Sequence, residues 1–103
     1  MYRFEYDERL GISIPDLEKS LSDYNKATQE EILLRWEEVR GNIPERIFEL
    51  EKEINLKQAL LNNEANFEQA CDLNTKISIL ASTINDLWLW FRSYDKVDEK
   101  NHH

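Results

Sequence analysis

The sequence predicts an all-α protein: an antiparallel helical hairpin of two long helices, packed with one or two shorter N-terminal helices and preceded by an extended N-terminal arm. Three observations predict this class. Apolar residues recur at steps of three and four through the second half of the chain. Helix-breaking residues are scarce, with two glycines and two prolines among 103 residues. Signals for helix starts and ends separate the apolar runs. A chain of this length is expected to form one domain.

Residues 1–14 are predicted to form the extended arm, because aromatic and charged side chains alternate along its first half. One strand has no ladder partner within an all-helical chain, so the arm would lie on a helix, pair with another copy or be mobile. The helical domain is expected to follow over residues 15–96. The alternating residues are Tyr2, Phe4 and Tyr6 with Arg3, Glu5 and Asp7.

Two short helices are predicted at the start of this domain. Pro15, followed by an aspartate, suits the first turn of a helix over 15–25, because proline is tolerated there and a carboxylate favours the helix dipole. Thr28 and Glu31 have the spacing of a capping box, which predicts a second helix over 29–40.

Two long helices are predicted to follow. Gly41 suits the end of the second short helix, and Pro44 suits the first turn of a helix over 43–61. The polar run 62–66 then separates it from a last helix over 67–94.

The long helices carry matching apolar seams, which predict coiled-coil-like antiparallel pairing across a short connection. The seam of the last helix is Ala70, Leu73, Ile77, Leu80, Ile84, Leu87 and Phe91. The seam of the preceding helix is Ile43, Ile47, Leu50, Ile54 and Leu61. A second stripe beside the first consists of Phe67, Cys71, Ala81 and Trp88. Because one partner helix does not cover both stripes, we expect a third helix or a second subunit on the second one.

The start of the last helix resembles the UVR motif, the helical hairpin of the excision-repair subunits UvrB and UvrC and of some Clp ATPase partners. The residues that match the motif are Phe67, Glu68, Ala70, Leu73, Ile77 and Leu80. Cys71 stands where the family has a second alanine, and Asn74 where it has arginine. The resemblance covers residues 47–81 and implies a non-catalytic hairpin that associates with a like hairpin. Convergence on hairpin geometry is the alternative explanation.

Charge and composition exclude several classes of protein. The formal net charge is −8, from 21 acidic and 13 basic residues, which disfavours binding to nucleic acid. No apolar run is long enough to cross a membrane, and the first residues lack a signal-peptide pattern. A single cysteine, Cys71, leaves no intramolecular disulfide. We therefore expect a cytoplasmic protein with neither nucleic-acid nor membrane partners.

The residues that carry catalysis or bind metals are not arranged in any recognisable motif. The only histidines, His102 and His103, lie in a polar stretch, 97–103, that is expected to be a disordered tail and that is either native or a tag remnant. Only Glu99, in this polar stretch, has a histidine three residues on, and the glycines form no phosphate loop. The sequence therefore predicts no enzyme, no cofactor, and no catalytic or metal site.

An aromatic end of the last helix is the best candidate site. Consecutive large apolar residues there point around much of the helix, so they either pack under the arm and a short helix or bind a partner. The candidate partner-binding residues are Trp36, Trp88, Leu89, Trp90 and Tyr94. The function expected is that of a small adaptor or regulatory protein that binds a partner protein or itself, as a homodimer. The alternative is an acidic inhibitor, antitoxin-like or immunity-like, that occupies a basic site on its target.

Overall fold

The first seventeen residues form an antiparallel β-hairpin, which corrects the predicted all-α class and the predicted lone arm. The computed structural model describes residues 1–93. Behind the β-hairpin come a short 3₁₀ turn and three helices, and the molecule extends over 60 × 21 × 20 Å. In chain order, the elements are β1 (Tyr2–Asp7), β2 (Ile12–Leu17), the 3₁₀ turn (Leu21–Asp23), α1 (Lys26–Gly41), α2 (Ile43–Asn62) and α3 (Phe67–Arg92).

A tight turn between β1 and β2 is the reason that the arm folds back on itself. Gly11 has φ +75°, a conformation that side chains with a Cβ rarely adopt, and its N–H donates to the Asp7 carbonyl at 2.7 Å. The Asp7 carboxylate also accepts the Leu10 N–H at 2.9 Å. The register then pairs Asp7 with Ile12 at the turn and Tyr2 with Leu17 at the open end.

The predicted helix over 15–25 is wrong. Pro15 lies in β2 opposite Phe4, where its missing N–H is tolerated because both strands of a two-stranded sheet are edges. Only the 3₁₀ turn remains of that helix, and it buries Leu21 completely. The chain then enters α1 past Tyr24, whose hydroxyl donates to the Met1 carbonyl at 2.6 Å.

The second short helix exists as α1, although it begins earlier than predicted and is capped differently. Asn25 is the N-cap, and its side chain accepts the Thr28 N–H at 2.8 Å, so Thr28 is not the capping residue. Strand β1 is tied to α1 by the Tyr2 hydroxyl, which donates to the Glu31 carboxylate. This hydrogen bond to a carboxylate raises the pKa of Tyr2 above its ordinary value.

The two long helices are confirmed as α2 and α3. Asn66 caps α3, its side chain accepting the Gln69 N–H at 3.0 Å, within one residue of the predicted start. The helices run antiparallel, because the N-terminal half of α2 packs on the C-terminal half of α3. The predicted end of the last helix at Tyr94 and the predicted tail over 97–103 lie outside the described residues.

The buried residues gather at one end of the molecule. The larger cluster joins the β-hairpin to all three helices, and a smaller one lies under the start of α1; none of their members falls within 51–82. We therefore name residues 1–50 with 83–93 the body, and residues 51–82 the distal hairpin. The larger cluster is Leu10, Ile12, Trp36, Ile43, Ile47, Leu50 and Leu87, and the smaller is Leu21, Tyr24 and Ile32.

Candidate protein-interaction surface

The predicted seam of α3 changes character along its length. Leu87 is completely buried in the body, where the β-hairpin and α1 add to the cover that α2 provides. Leu73 and Ile77, in the distal hairpin, are only half-buried, because two helices without a third layer leave both flanks of their seam open to water. The distal hairpin is thus a two-helix projection with no core of its own.

The charged residues of α3 that precede Arg92 lie on one side of the helix. Asp72 and Lys76 form an ion pair at 2.9 Å, and Asp86 binds Arg9 of the β-hairpin turn at 2.7 Å. Helical spacing puts Glu68 on the same side. We name Glu68, Asp72, Lys76 and Asp86 the charged side; it faces the side of the molecule on which the β-hairpin turn packs.

Another side of α3 carries no charge between Phe67 and Trp88. The set of residues found there is larger than the stripe predicted from apolar residues alone, because small polar side chains fill its gaps. All of its members are exposed, with Phe67 at 68 % and Trp88 at 40 %. The residues recur at alternating steps of four and three, the spacing of a helix-packing seam. We name this set the open strip: Phe67, Cys71, Asn74, Ser78, Ala81, Asn85 and Trp88.

A shallow cavity of about 270 Å³ adjoins the open strip between α2 and α3. The small side chain of Ala81 leaves this space, with Ile54 and Ile84 forming its apolar wall and Glu51 and Asn55 its polar edge. The strip therefore borders a groove rather than a smooth cylinder, a shape that suits an inserted side chain. Within residues 1–93, no third helix covers the strip. Of the two occupants expected on the second stripe, a third helix or a second subunit, the third helix is therefore not found among these residues.

The predicted aromatic site divides between the core and the surface. Trp36 is completely buried, which corrects its assignment as a partner-binding residue, since the body packs around it. Its ring meets the half-buried ring of Trp90 edge-on at 5.6 Å. Trp88 and Leu89 are exposed at 40 % and 53 %, on the outside of α3. Tyr94 lies outside the described residues.

The burial of Trp36 leaves one polar atom without compensation. Its indole Nε1 finds no hydrogen-bond partner among the described residues, although the side chain has no exposed surface. Phe91 is anchored to α1 by two contacts with Arg40. The Arg40 guanidinium lies 4.2 Å from the Phe91 ring centroid, and Arg40 Nε donates to the Phe91 carbonyl at 2.8 Å. The inner part of the aromatic end therefore fastens α1 to α3.

A second cavity, of about 350 Å³, lies where the β-hairpin turn meets the end of α3. Leu89 and Trp90 line it from α3, and the Arg9–Asp86 ion pair stands at its edge. Sequence reasoning missed this cavity because the β-hairpin that forms one wall was not foreseen. Its complete lining is Asp7, Arg9, Leu10, Ile14, Asp86, Leu89, Trp90 and Ser93.

The described residues offer no cluster of metal ligands. Over residues 1–93, no group of three or more histidine, cysteine, aspartate or glutamate side chains converges, and Cys71 is an exposed free thiol on the open strip. His102 and His103 lie outside that range. Within the same range, no helix combines the length and the apolar character that a membrane span requires.

Comparison with known proteins does not add a family to these observations. Neither the models of protein families, nor the curated protein sequences, nor the solved structures contain a match to this chain.

Proposed function

We propose that this protein is a small adaptor or regulatory protein that binds another protein, or a second copy of itself, through the open strip of its helical hairpin. One observation carries the proposal: an exposed side of α3 has helix-packing spacing and no charged residue from Phe67 to Trp88. In a chain that is one-third charged, a solvated helix face ordinarily carries charges. The charged side of the same helix shows that pattern.

The composition of the open strip suits a partner helix. Small side chains at Ser78 and Ala81 let another backbone approach closely, and the aromatic rings of Phe67 and Trp88 supply apolar area at the two ends. The groove beside Ala81 gives a partner side chain a place to insert. Trp88 thus keeps the partner-binding role proposed for the aromatic end, and Leu89 extends the same surface around the helix.

The UVR resemblance is part of the proposal. Residues 47–81 fall within an antiparallel α2–α3 hairpin, the architecture that such a motif needs. Because Asn74 lies on the open strip where that family has arginine, a UVR-like hairpin in this chain would differ from the family at the surface that meets its partner. A non-enzymatic role in the cytoplasm, with Cys71 kept as a free thiol under reducing conditions, completes the proposal.

The test is affinity capture from the source cell at low and high salt, with a charge placed on the strip. Ala81→Arg puts a cation into the uncharged seam, and we expect it to abolish capture because the partner would bury that charge. Ile79→Arg is the matched control, since Ile79 is exposed at 54 % and lies two residues away, towards the charged side. Capture by the wild type should survive high salt, because apolar docking is weakly screened. Equal capture by both variants would remove the proposal.

A second candidate function rests on a different surface. Leu34 on α1 is exposed at 67 %. The residues three and four positions before and after it, which are its neighbours on the helix surface, are all glutamates: Glu30, Glu31, Glu37 and Glu38. An apolar residue within a ring of carboxylates suits a basic site on a target, as an acidic inhibitor would require. High salt would then prevent capture, and the paired substitution Glu30→Gln with Glu38→Gln would weaken it, whereas Ala81→Arg would leave it unchanged.

A further inference from the structure

We propose that the occupant of the open strip is a second copy of this chain, lying antiparallel, so that Phe67 of each copy packs on Trp88 of the other. The proposal rests on the proposed function of the strip and names its partner. It is drawn from the shape, the charge and the size of the strip.

The shape of the open strip is self-complementary under a two-fold axis. An antiparallel two-fold close to Ser78 brings the seam onto itself to within one residue and pairs its positions in layers. The two large residues then meet at both ends, and small or polar residues meet in the middle, where the helices approach most closely. The layers are Phe67 with Trp88, Cys71 with Asn85, Asn74 with Ala81, and Ser78 with itself.

Polar residues within the strip define this register. A parallel pairing would stack Trp88 on its own copy and Asn74 on Asn74. Each small residue would also meet its own copy, so wide and narrow layers would be mixed along the seam. The antiparallel pairing instead places Asn74 over Ala81 and the groove beside it, where the amide has room and a polar edge formed by Glu51 and Asn55. An asparagine in a helix-packing seam can select one register in this way.

The charge of the chain favours a second copy at this surface and at no other part of α3. Two molecules of net charge −8 repel each other, so they associate where neither presents charge. The residues of the open strip meet that condition from Phe67 to Trp88; Glu51 beside Ala81 and Arg9 beside Ser78 are charges of opposite sign at its edges. A basic partner would instead be attracted to carboxylates, which the strip's own residues lack.

The area of the surface is sufficient for a dimer. From Phe67 to Trp88, α3 rises about 32 Å, and the strip together with the adjoining face of α2 presents a width of about 20 Å. Together, two copies would bury roughly 1,300 Å² on this footprint, within the range of about 1,200–2,000 Å² for specific stable interfaces. The interface needs only the part of the molecule already exposed, without rearrangement of the body.

Site-directed cross-linking tests the axis. In a Cys71→Ser background, Ser78→Cys places one thiol on the proposed two-fold, and a short bis-maleimide should convert most of the protein to covalent dimer. Lys76→Cys is the matched control: it is exposed, two residues away and on the charged side, and it should give little dimer. Efficient cross-linking through position 76 and not through 78 would overturn the proposal.

A double-mutant cycle on dimerisation tests the end layers. Phe67→Ala and Trp88→Ala should each weaken the dimer about tenfold or more in sedimentation equilibrium. Because these residues lie about 32 Å apart on one helix, they cannot touch within one copy. The double variant should therefore weaken the dimer by clearly less than the product of the two single factors, since both substitutions remove the same contact. Leu56→Ala, exposed at 67 % on α2, should not change dimerisation.

The outcomes separate this proposal from the proposed function. A wild type that sediments as a monomer at millimolar concentration overturns the second-copy proposal, and so does strict additivity in the cycle. If Ala81→Arg still abolishes capture of another protein in those cases, the function of the strip stands with a different occupant. If Ala81→Arg changes neither dimerisation nor capture, both proposals fail.

Discussion

The body and the distal hairpin are built from the same two helices, yet they differ in how those helices are held. In the body, α2 and α3 meet the β-hairpin and α1, and residues such as Leu50 and Leu87 keep at most 2 % of their surface exposed. In the distal hairpin the α3 seam continues at the same spacing, and its Leu73 and Ile77 stay half-buried. The periodicity of a helix thus reports which side is apolar, whereas the depth of burial depends on how many layers surround that side.

This difference has a consequence for the two ends of α3. Local opening is easiest where few apolar contacts have to be broken, so the distal hairpin is expected to open at a lower free energy than the body. A partner on the part of the open strip that lies in the distal hairpin, from Phe67 to Ala81, would therefore stabilise the region that opens most easily.

The largest expected effect compares one leucine in each region. Leu87→Ala should lower the free energy of unfolding by about 3–4 kcal/mol, because it empties a fully enclosed site. Leu73→Ala removes the same atoms from a half-buried site and should cost about 1–2 kcal/mol. Urea unfolding followed by circular dichroism checks both. Equal losses would show that the distal hairpin is packed as tightly as the body.

The next effect concerns the turn that creates the β-hairpin. Gly11→Ala should destabilise by about 2 kcal/mol, because φ +75° is strained for alanine and a Cβ there meets the Arg46 side chain. That side chain must stay in place, since Arg46 Nε donates to the Leu10 carbonyl at 3.0 Å. Gly41→Ala is the control: it lies in α1, a Cβ there meets nothing within 4 Å, and it should stabilise by about 0.5–1 kcal/mol. Thermal melts of the two variants should shift in opposite directions.

A smaller effect is expected at the helix caps. Asn66→Ala and Asn25→Ala each remove a side chain that accepts a backbone N–H, at a cost of about 1 kcal/mol. Their locations should separate them in amide hydrogen exchange. Asn66→Ala should accelerate exchange in the distal hairpin alone, whereas Asn25→Ala should accelerate it at the start of α1. Uniform acceleration along the chain in both variants would mean that the two regions unfold together.

The smallest effect is expected at the ion pair between the β-hairpin turn and α3. Asp86→Asn breaks the contact with Arg9, but both side chains are well exposed, so the loss should be within about 0.5 kcal/mol. The small loss should vanish at high salt. A loss above 2 kcal/mol in denaturant titrations would indicate that this pair holds the β-hairpin on the body.

The predicted helices that proved correct share a cause. The long helices α2 and α3 were predicted within one or two residues over the described range, because their hydrogen bonds and their apolar spacing are local to the segment. The helix over 15–25 failed because Pro15 suits the first turn of a helix and an edge strand equally well. The choice between them depended on a ladder partner earlier in the chain, which no local window contains.

The candidate site was also predicted only in part. Phe67, Cys71, Ala81 and Trp88 were recognised as a stripe, but the small polar residues that complete the open strip carry no apolar signal. Trp36 is a candidate partner-binding residue by sequence because tryptophan is common in interfaces, whereas the structure packs it against Trp90 at the centre of the body. Residue type alone does not distinguish an anchor for a partner from an anchor for the core.

What the sequence determined by itself is the set of long helices and the side of each that is apolar, because these follow from interactions between residues three or four positions apart. What only the tertiary structure decided is which apolar side is covered. The β-hairpin and α1 cover one end of the α2–α3 pair and leave the open strip in water, and that outcome depends on contacts between residues far apart in the chain.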